Sequence, residues 1–87
     1  VLFPGKRLSL QYHRLRAEHW VIVQGEGKMT LGDQNFPVKA GDVVHIAKEQ
    51  VHRVANESDQ PLVIIETQIG ICPEDDIVRI EDDYNRV

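Results

Sequence analysis

A chain of 87 residues with one cysteine, 41% hydrophobic residues and a formal net charge of -4 is one domain with ordinary globular composition. The acidic balance leaves no basic footprint for nucleic acid. One cysteine excludes an internal disulfide framework and suits a reducing compartment. No apolar stretch approaches the roughly 20 residues that span a bilayer, and no secretory signal is present. The expected location is therefore the cytoplasm, with neither nucleic acid nor membrane as partner. The first residue is Val1 rather than Met, so the expectation is a domain excised from a longer chain. A domain this small buries only about 60–65% of its unfolded surface, and a metal or a partner subunit would add to its stability.

Pro4-Gly5 signals a turn. Residues 7–13 alternate, with Leu8, Leu10 and Tyr12 on one face and Ser9, Gln11 and His13 on the other, a half-buried strand pattern. Arg14-Leu15-Arg16 breaks it. Residues 17–24 form a second strand, ended by Gly25-Glu26-Gly27, and residues 28–31 a third, followed by the hairpin turn Gly32-Asp33-Gln34-Asn35. Phe36-Pro37-Val38 is short and, because proline lacks an N–H, belongs at an edge. Residues 43–46 and 51–55 are two more strands, and residues 62–69 the longest apolar run. Glu74-Asp75-Asp76 would suit a helix cap, but Val78 and Ile80 alternate with Arg79 and Glu81, which predicts an eighth strand before a loop at 82–85. Short strands at turn spacings of about 8–12 residues predict an antiparallel sandwich or barrel.

The chemistry gathers in Gln11, His13 and Glu18. Gln11 and His13 are two apart and face the same way on a strand. With His52 from a distant strand they offer two nitrogen and two oxygen donors, which suit a borderline divalent ion such as Zn²⁺, Mn²⁺ or Fe²⁺. His19 faces away from Glu18, and it and His45 read as structural or solvated. Trp20 shares a face with Ile22 and reads as core. Cys72 reads as a small hydrophobe or an exposed thiol, and the acidic run Glu81-Asp82-Asp83 as a solvated edge.

The spacings follow a pattern. Gly5, Gln11, His13, Glu18 and Gly25 form one group, and Gly41, Ala47, Glu49, His52 and Asn56 a second. This resembles the two-part cupin signature, with Gln11 at the first histidine and Ala47 and Glu49 in place of a proline and a glycine. Leu8-Ser9-Leu10-Gln11, Arg16-Ala17-Glu18-His19-Trp20 and the run from Glu74 to Tyr84 resemble the C-terminal domain of bacterial type II phosphomannose isomerases, which are joined to a mannose-1-phosphate guanylyltransferase. The resemblance implies an all-β, cupin-type double-stranded β-helix of about eight antiparallel strands, with residues 1–87 as a single cupin domain. It also implies a metal, Zn²⁺ first with Mn²⁺, Co²⁺ and Fe²⁺ as alternatives, held by Gln11, His13, Glu18 and His52.

The activity implied is interconversion of mannose 6-phosphate and fructose 6-phosphate, feeding GDP-mannose synthesis, with an upstream guanylyltransferase domain and a homodimer as expected partners. Arg16, Arg79 and Arg86 are the candidates for the substrate phosphate, because a guanidinium matches a phosphate bidentately. Lys6, Arg14 and Arg53 are weaker options. Arg16 is also a candidate in catalysis, and Glu66, alternating with Ile64 and Gln68, is the candidate base if it points inward. The chain departs from its relatives at Leu15, where they carry histidine, and at Ile69-Gly70-Ile71-Cys72-Pro73. Glu49 occupies a turn position at which glycine supplies a positive φ. The competing readings are a non-catalytic cupin that binds a sugar or sugar nucleotide, and a cupin oxygenase. The Gln-for-His change and the acidic tail argue against the oxygenase.

Overall fold

A computed structural model describes residues 1–71 and 76–83. Among them are eight strands and no helix: β1 (Leu10–Tyr12), β2 (Arg16–Gln24), β3 (Glu26–Leu31), β4 (Gln34–Lys39), β5 (Val43–Ile46), β6 (His52–Ala55), β7 (Val63–Gly70) and β8 (Val78–Glu81). They form two antiparallel sheets, one ordered β4-β3-β6-β1-β8 and the other β5-β2-β7. The sequence places all eight strands to within a few residues. The main difference is the first, which shortens from residues 7–13 to Leu10–Tyr12, with Arg7 held to Ala55 by an isolated bridge. Pro37 lies on β4, an edge strand, so its missing N–H breaks no ladder.

The apolar core draws one or two residues from most strands: Trp20 and Ile22 on β2, Met29 on β3, Val38 on β4, Val44 and Ile46 on β5, Val54 on β6, and Leu62 just before β7. On β1 the pattern is reversed from the ordinary half-buried strand. Ser9, Gln11 and His13 are buried, while Leu8, Leu10 and Tyr12 are only half-buried. The polar face of this strand points into the barrel.

The tail is structural as well. Arg7 donates bidentately to Asp83, 2.8 Å for each bond. Arg53 donates to the Leu8 carbonyl at 2.8 Å and to Glu81 at 2.9 Å. Glu81 and Asp83 therefore tie β8, the edge strand of the five-stranded sheet, to Arg7 and Arg53, and Asp82 is buried. The reading of the acidic run as a solvated edge holds for Glu81 and Asp83, which stay exposed on the edge strand, and is corrected at the buried Asp82; Arg53 is engaged by Glu81 rather than free for a phosphate. Arg14 lies outside, over the Tyr12 ring. Tyr84, Asn85 and Cys72 lie outside the described residues.

Two signature positions prove architectural. Asn56 is fully buried. Its amide donates to the carbonyls of Leu2 (2.9 Å) and Gln60 (2.7 Å), and its oxygen accepts from the Ser58 N–H (3.0 Å) and hydroxyl (2.7 Å). Gly25 has φ 91°, and a Cβ there would collide with the Pro61 carbonyl, so β2 can turn into β3 beneath that loop only without a side chain.

The Ala47–Gln50 turn carries the departure that the sequence flagged. Glu49 has φ 64° and is, among the described residues, the one non-glycine with positive φ. Its N–H donates to the His13 carbonyl at 2.6 Å, so the turn braces β1 in spite of the strain. An L-residue in this conformation is disfavoured by about 1–2 kcal/mol, partly offset by glycine's greater freedom when unfolded. Glu49→Gly is therefore expected to stabilise the chain by about 0.5–1 kcal/mol. Calorimetry should show a rise in Tm of about 2–8 °C; an unchanged or lower Tm refutes the strain.

Candidate metal centre

His13, Glu18 and His52 come together although far apart in sequence. One donor atom from each lies within 4.8 Å of the others, and all three side chains are buried. Glu18 is on β2, His52 begins β6, and His13 follows β1 directly. Gln11 pairs in register with His52 across β1 and β6, so their side chains project onto the same inner face. The four residues grouped by the sequence are thus all buried on the barrel's inner side.

Both imidazoles are oriented by the backbone. His13 Nδ1 bonds the Asp76 carbonyl, and His52 Nδ1 the Gln50 carbonyl at 2.9 Å. A carbonyl only accepts, so each Nδ1 carries the proton and each Nε2 presents a lone pair to the interior. This second-sphere arrangement is the usual one for histidine ligands. Glu18 Oε2 lies 3.7 Å from His13 Nε2, and Oε1 lies 4.0 Å from His52 Nε2. Trp20 Nε1–H donates to Oε1 at 3.0 Å and sets the carboxylate plane. His52 Nε2 is buried with no hydrogen-bond partner among the described residues. A buried polar atom without a partner is unfavourable unless something binds there, and two neutral imidazole nitrogens with a carboxylate oxygen suit a borderline divalent ion. The residues fit such a metal.

Burial pushes the His52 imidazole below the ordinary histidine value, and the Gln50 carbonyl and Glu18, which act the other way, do not prevail. The ring therefore stays neutral and ligand-competent around neutral pH. Asp76 was read in sequence only as part of a possible helix cap. In the structure its carboxylate accepts from the N–H groups of Arg14 (3.0 Å) and Leu15 (2.9 Å) while its main-chain carbonyl accepts from His13 Nδ1–H. Burial alone would raise its pKa, but those two N–H donors and the nearby His13 and Arg16 bring it below the usual value. Periodicity carries no sign of this role, because contacts over 61 to 63 residues leave no local pattern.

The other candidates separate. Arg16 does not stand free for a phosphate: its Nε donates to Glu18 Oε2 at 2.9 Å and a terminal nitrogen sits 3.3 Å from His13 Nε2. Arg79 pairs with Gln11 across β1 and β8, so it faces inward in the row that runs from His52 through Gln11. Its Nε is buried without a hydrogen bond among the described residues, 3.9 Å from the Asp82 carboxylate. Glu66 pairs with Trp20 and shares its inward face. It remains solvent-exposed and lies outside the three-donor group. It borders a small cavity of about 80 Å³ with Leu8, Val54 and Ile64. The protein packed around its carboxyl, and next the Glu18 charge, raise its pKa. Arg86 lies outside the described residues. His19 and His45 face outward against each other, ring centroids 4.8 Å apart, and take no part in the donor group.

Two antiparallel sheets enclosing an inward Gln, His, Glu, His set define a cupin-type double-stranded β-helix whose interior carries donors that could hold a metal ion. The chain belongs to the mannose-6-phosphate isomerase C-terminal family, which it matches over residues 1–82. It is 48% identical over 84 residues to the alginate biosynthesis protein AlgA of Pseudomonas aeruginosa, a match covering 95% of this chain and 18% of that protein. It is 39% identical over 85 residues to the mannose-1-phosphate guanylyltransferase ManC of Salmonella typhimurium, covering 97% of this chain and again 18% of the relative. The chain thus spans under a fifth of the length of these relatives. A solved double-stranded β-helix protein from Klebsiella pneumoniae superposes with TM-score 0.76 at 23% identity, covering 93% of this chain and 70% of that one, which shows the fold.

Two outcomes follow. Below about pH 6.5 the unfolded chain takes up a proton at His52 that the folded chain resists, so the unfolded state binds more protons and stability falls as the pH is lowered. No contribution changes above that pH, where both states are neutral. Melting of metal-free protein in chelator from pH 7.5 down to 5.5 should therefore fall more steeply for the wild type than for His52→Gln; parallel curves refute the assignment. Asp76→Ala is expected to weaken Zn²⁺ binding about 10–100-fold, read by competition with a chromophoric chelator. The main-chain carbonyl survives this substitution, so an unchanged affinity would show that the carboxylate's hold on Arg14 and Leu15 is not what places that carbonyl against His13.

Proposed function

We propose that this chain is a metal-dependent isomerase domain interconverting mannose 6-phosphate and fructose 6-phosphate, acting in the cytoplasm to supply GDP-mannose for polysaccharide synthesis. The observation that carries the reading is the buried pair of Nε2 lone pairs facing Glu18, in a chain of the mannose-6-phosphate isomerase C-terminal family. Gln11, His13, Glu18 and His52 are the proposed ligands and Zn²⁺ the proposed ion. When bound, the ion supplies Lewis-acid polarisation of the sugar carbonyl.

The chain's own residues supply the rest. Aldose–ketose isomerisation moves a proton between C1 and C2. Glu66 is the proposed base: it faces the barrel interior, remains open to solvent, and its raised pKa brings it nearer to working pH. Arg79, inward beside Gln11 with an unbonded buried Nε, is the proposed phosphate ligand among the described residues. Arg86 and Arg16 remain proposed contributors, Arg16 after leaving Glu18. Partners are part of the same proposal. Val21, Val43, Ile65 and Ile69 are exposed on the outer face of the three-stranded sheet, an apolar surface suited to a second copy or to a guanylyltransferase domain upstream.

The test is a coupled assay for fructose 6-phosphate formed from mannose 6-phosphate, with chelator, then with Zn²⁺, Mn²⁺ or Co²⁺ restored, on this chain and on the full-length protein. Chelator-sensitive turnover that falls at least 100-fold in Glu18→Gln, with Glu66→Gln impaired in kcat more than in KM, is the expected result. Sugar-phosphate binding without turnover by the full-length protein under any metal would favour the non-catalytic module.

A further inference from the structure

Arg16 opens β2 with its side chain 12% exposed, and it reaches two atoms that a metal would need. Its Nε–H donates to Glu18 Oε2 at 2.9 Å. Its terminal N–H meets His13 Nε2 at 3.3 Å, and because His13 Nδ1 is committed to the Asp76 carbonyl, that Nε2 is the lone pair and the arginine is the donor. His52 Nε2, the third donor atom, has no hydrogen-bond partner among the described residues. Glu18 is 2% exposed and its carboxylate needs a compensating charge. Among the described residues, the cation that reaches it by a salt bridge, other than the two histidines, is Arg16.

We propose that Arg16 is the resident counter-cation of the donor set and that a divalent ion binds only by displacing it. Metal entry and release of the guanidinium are then one exchange. A dication held by Glu18 and His13 repels a guanidinium at the same two residues, and the single Nε2 lone pair of His13 cannot serve both. The released arginine is an uncompensated cation beside the centre, available to an anion only in the loaded form. Metal-free protein is thereby spared an unpaired buried carboxylate, and its metal affinity is reduced by the fraction of molecules in which Arg16 is closed. The inference rests on metal binding at this donor set and not on the isomerase reaction.

The experiment measures Zn²⁺ affinity on this 87-residue chain by chelator competition, with the fluorescence of Trp20, the single tryptophan and hydrogen-bonded to Glu18, as a second reading of the centre. Arg16→Met removes the charge and both donors at similar length. It is expected to bind Zn²⁺ about 10–100-fold more tightly than wild type, which corresponds to Arg16 being closed in about 90–99% of metal-free molecules. It should also melt lower than wild type in chelator, with the gap closed or reversed by Zn²⁺. Arg16→Lys keeps a cation for Glu18 but loses the two-pronged hold, and should bind several-fold more tightly than wild type. If Arg16→Met does not fold without metal, Arg16→Lys decides. Affinities for the folded variants within twofold of wild type, or weaker, overturn the proposal. Failure of every form to bind Zn²⁺ overturns it together with the metal centre. Tight, Arg16-sensitive binding without isomerase turnover upholds it and removes only the isomerase reading.

Discussion

A carboxylate in a protein interior must find donors and a counter-charge, and the burial of Glu18 imposes that demand on everything around it. Trp20 meets it at one oxygen, Arg16 at the other, and the imidazoles of His13 and His52 stand within 4.0 Å. Such a group is unfavourable in a purely structural core, where an apolar residue of similar size would pack without it. Its presence between two histidines with inward lone pairs is intelligible as a ligand set. Trp20 joins this polar end to the apolar core, since its ring packs edge-on to His52 while its N–H holds Glu18.

The two histidines are aimed by irregular backbone rather than by the sheets. His52 is oriented by the Gln50 carbonyl, at the end of the Ala47–Gln50 turn. His13 is oriented by Asp76, in the segment leading to β8, and its own carbonyl is held by Glu49. The turn that departs from the cupin signature at Ala47 and Glu49 thus touches both ligands, yet keeps its shape by accepting a strained Glu49. Leu15, another departure, is exposed and is tied to the centre through its backbone N–H on Asp76. The departures alter strain and surface while leaving the donor atoms in place.

The signature intervals divide into two kinds of residue. Gln11, His13, Glu18 and His52 carry donor atoms. Gly25 and Asn56 carry none to the site: one permits a close backbone approach and the other ties a loop through four hydrogen bonds. The spacing between the first kind is held by the second, because a barrel brings β1, β2 and β6 together only if its turns keep their length and handedness.

Much was legible in the residues themselves. The eight strands follow from period-two alternation and turn chemistry, the edge position of β4 from Pro37, and the donor quartet from residue type and interval read against the cupin pattern. These are local properties, or fixed spacings, and a linear text holds them. The tertiary structure alone decided the rest. Alternation shows that Gln11 and His13 share a face but not that this face is the buried one, because the apolar face of the same strand is the ordinary inward choice. It cannot show that Arg16 turns back onto Glu18 and His13, that Arg79 falls in register with Gln11, or that the Asp76 carbonyl accepts a hydrogen bond from His13 across 63 residues. Those facts depend on which strands become neighbours, and strand neighbourhood in a barrel is set by packing and register between segments distant in the chain.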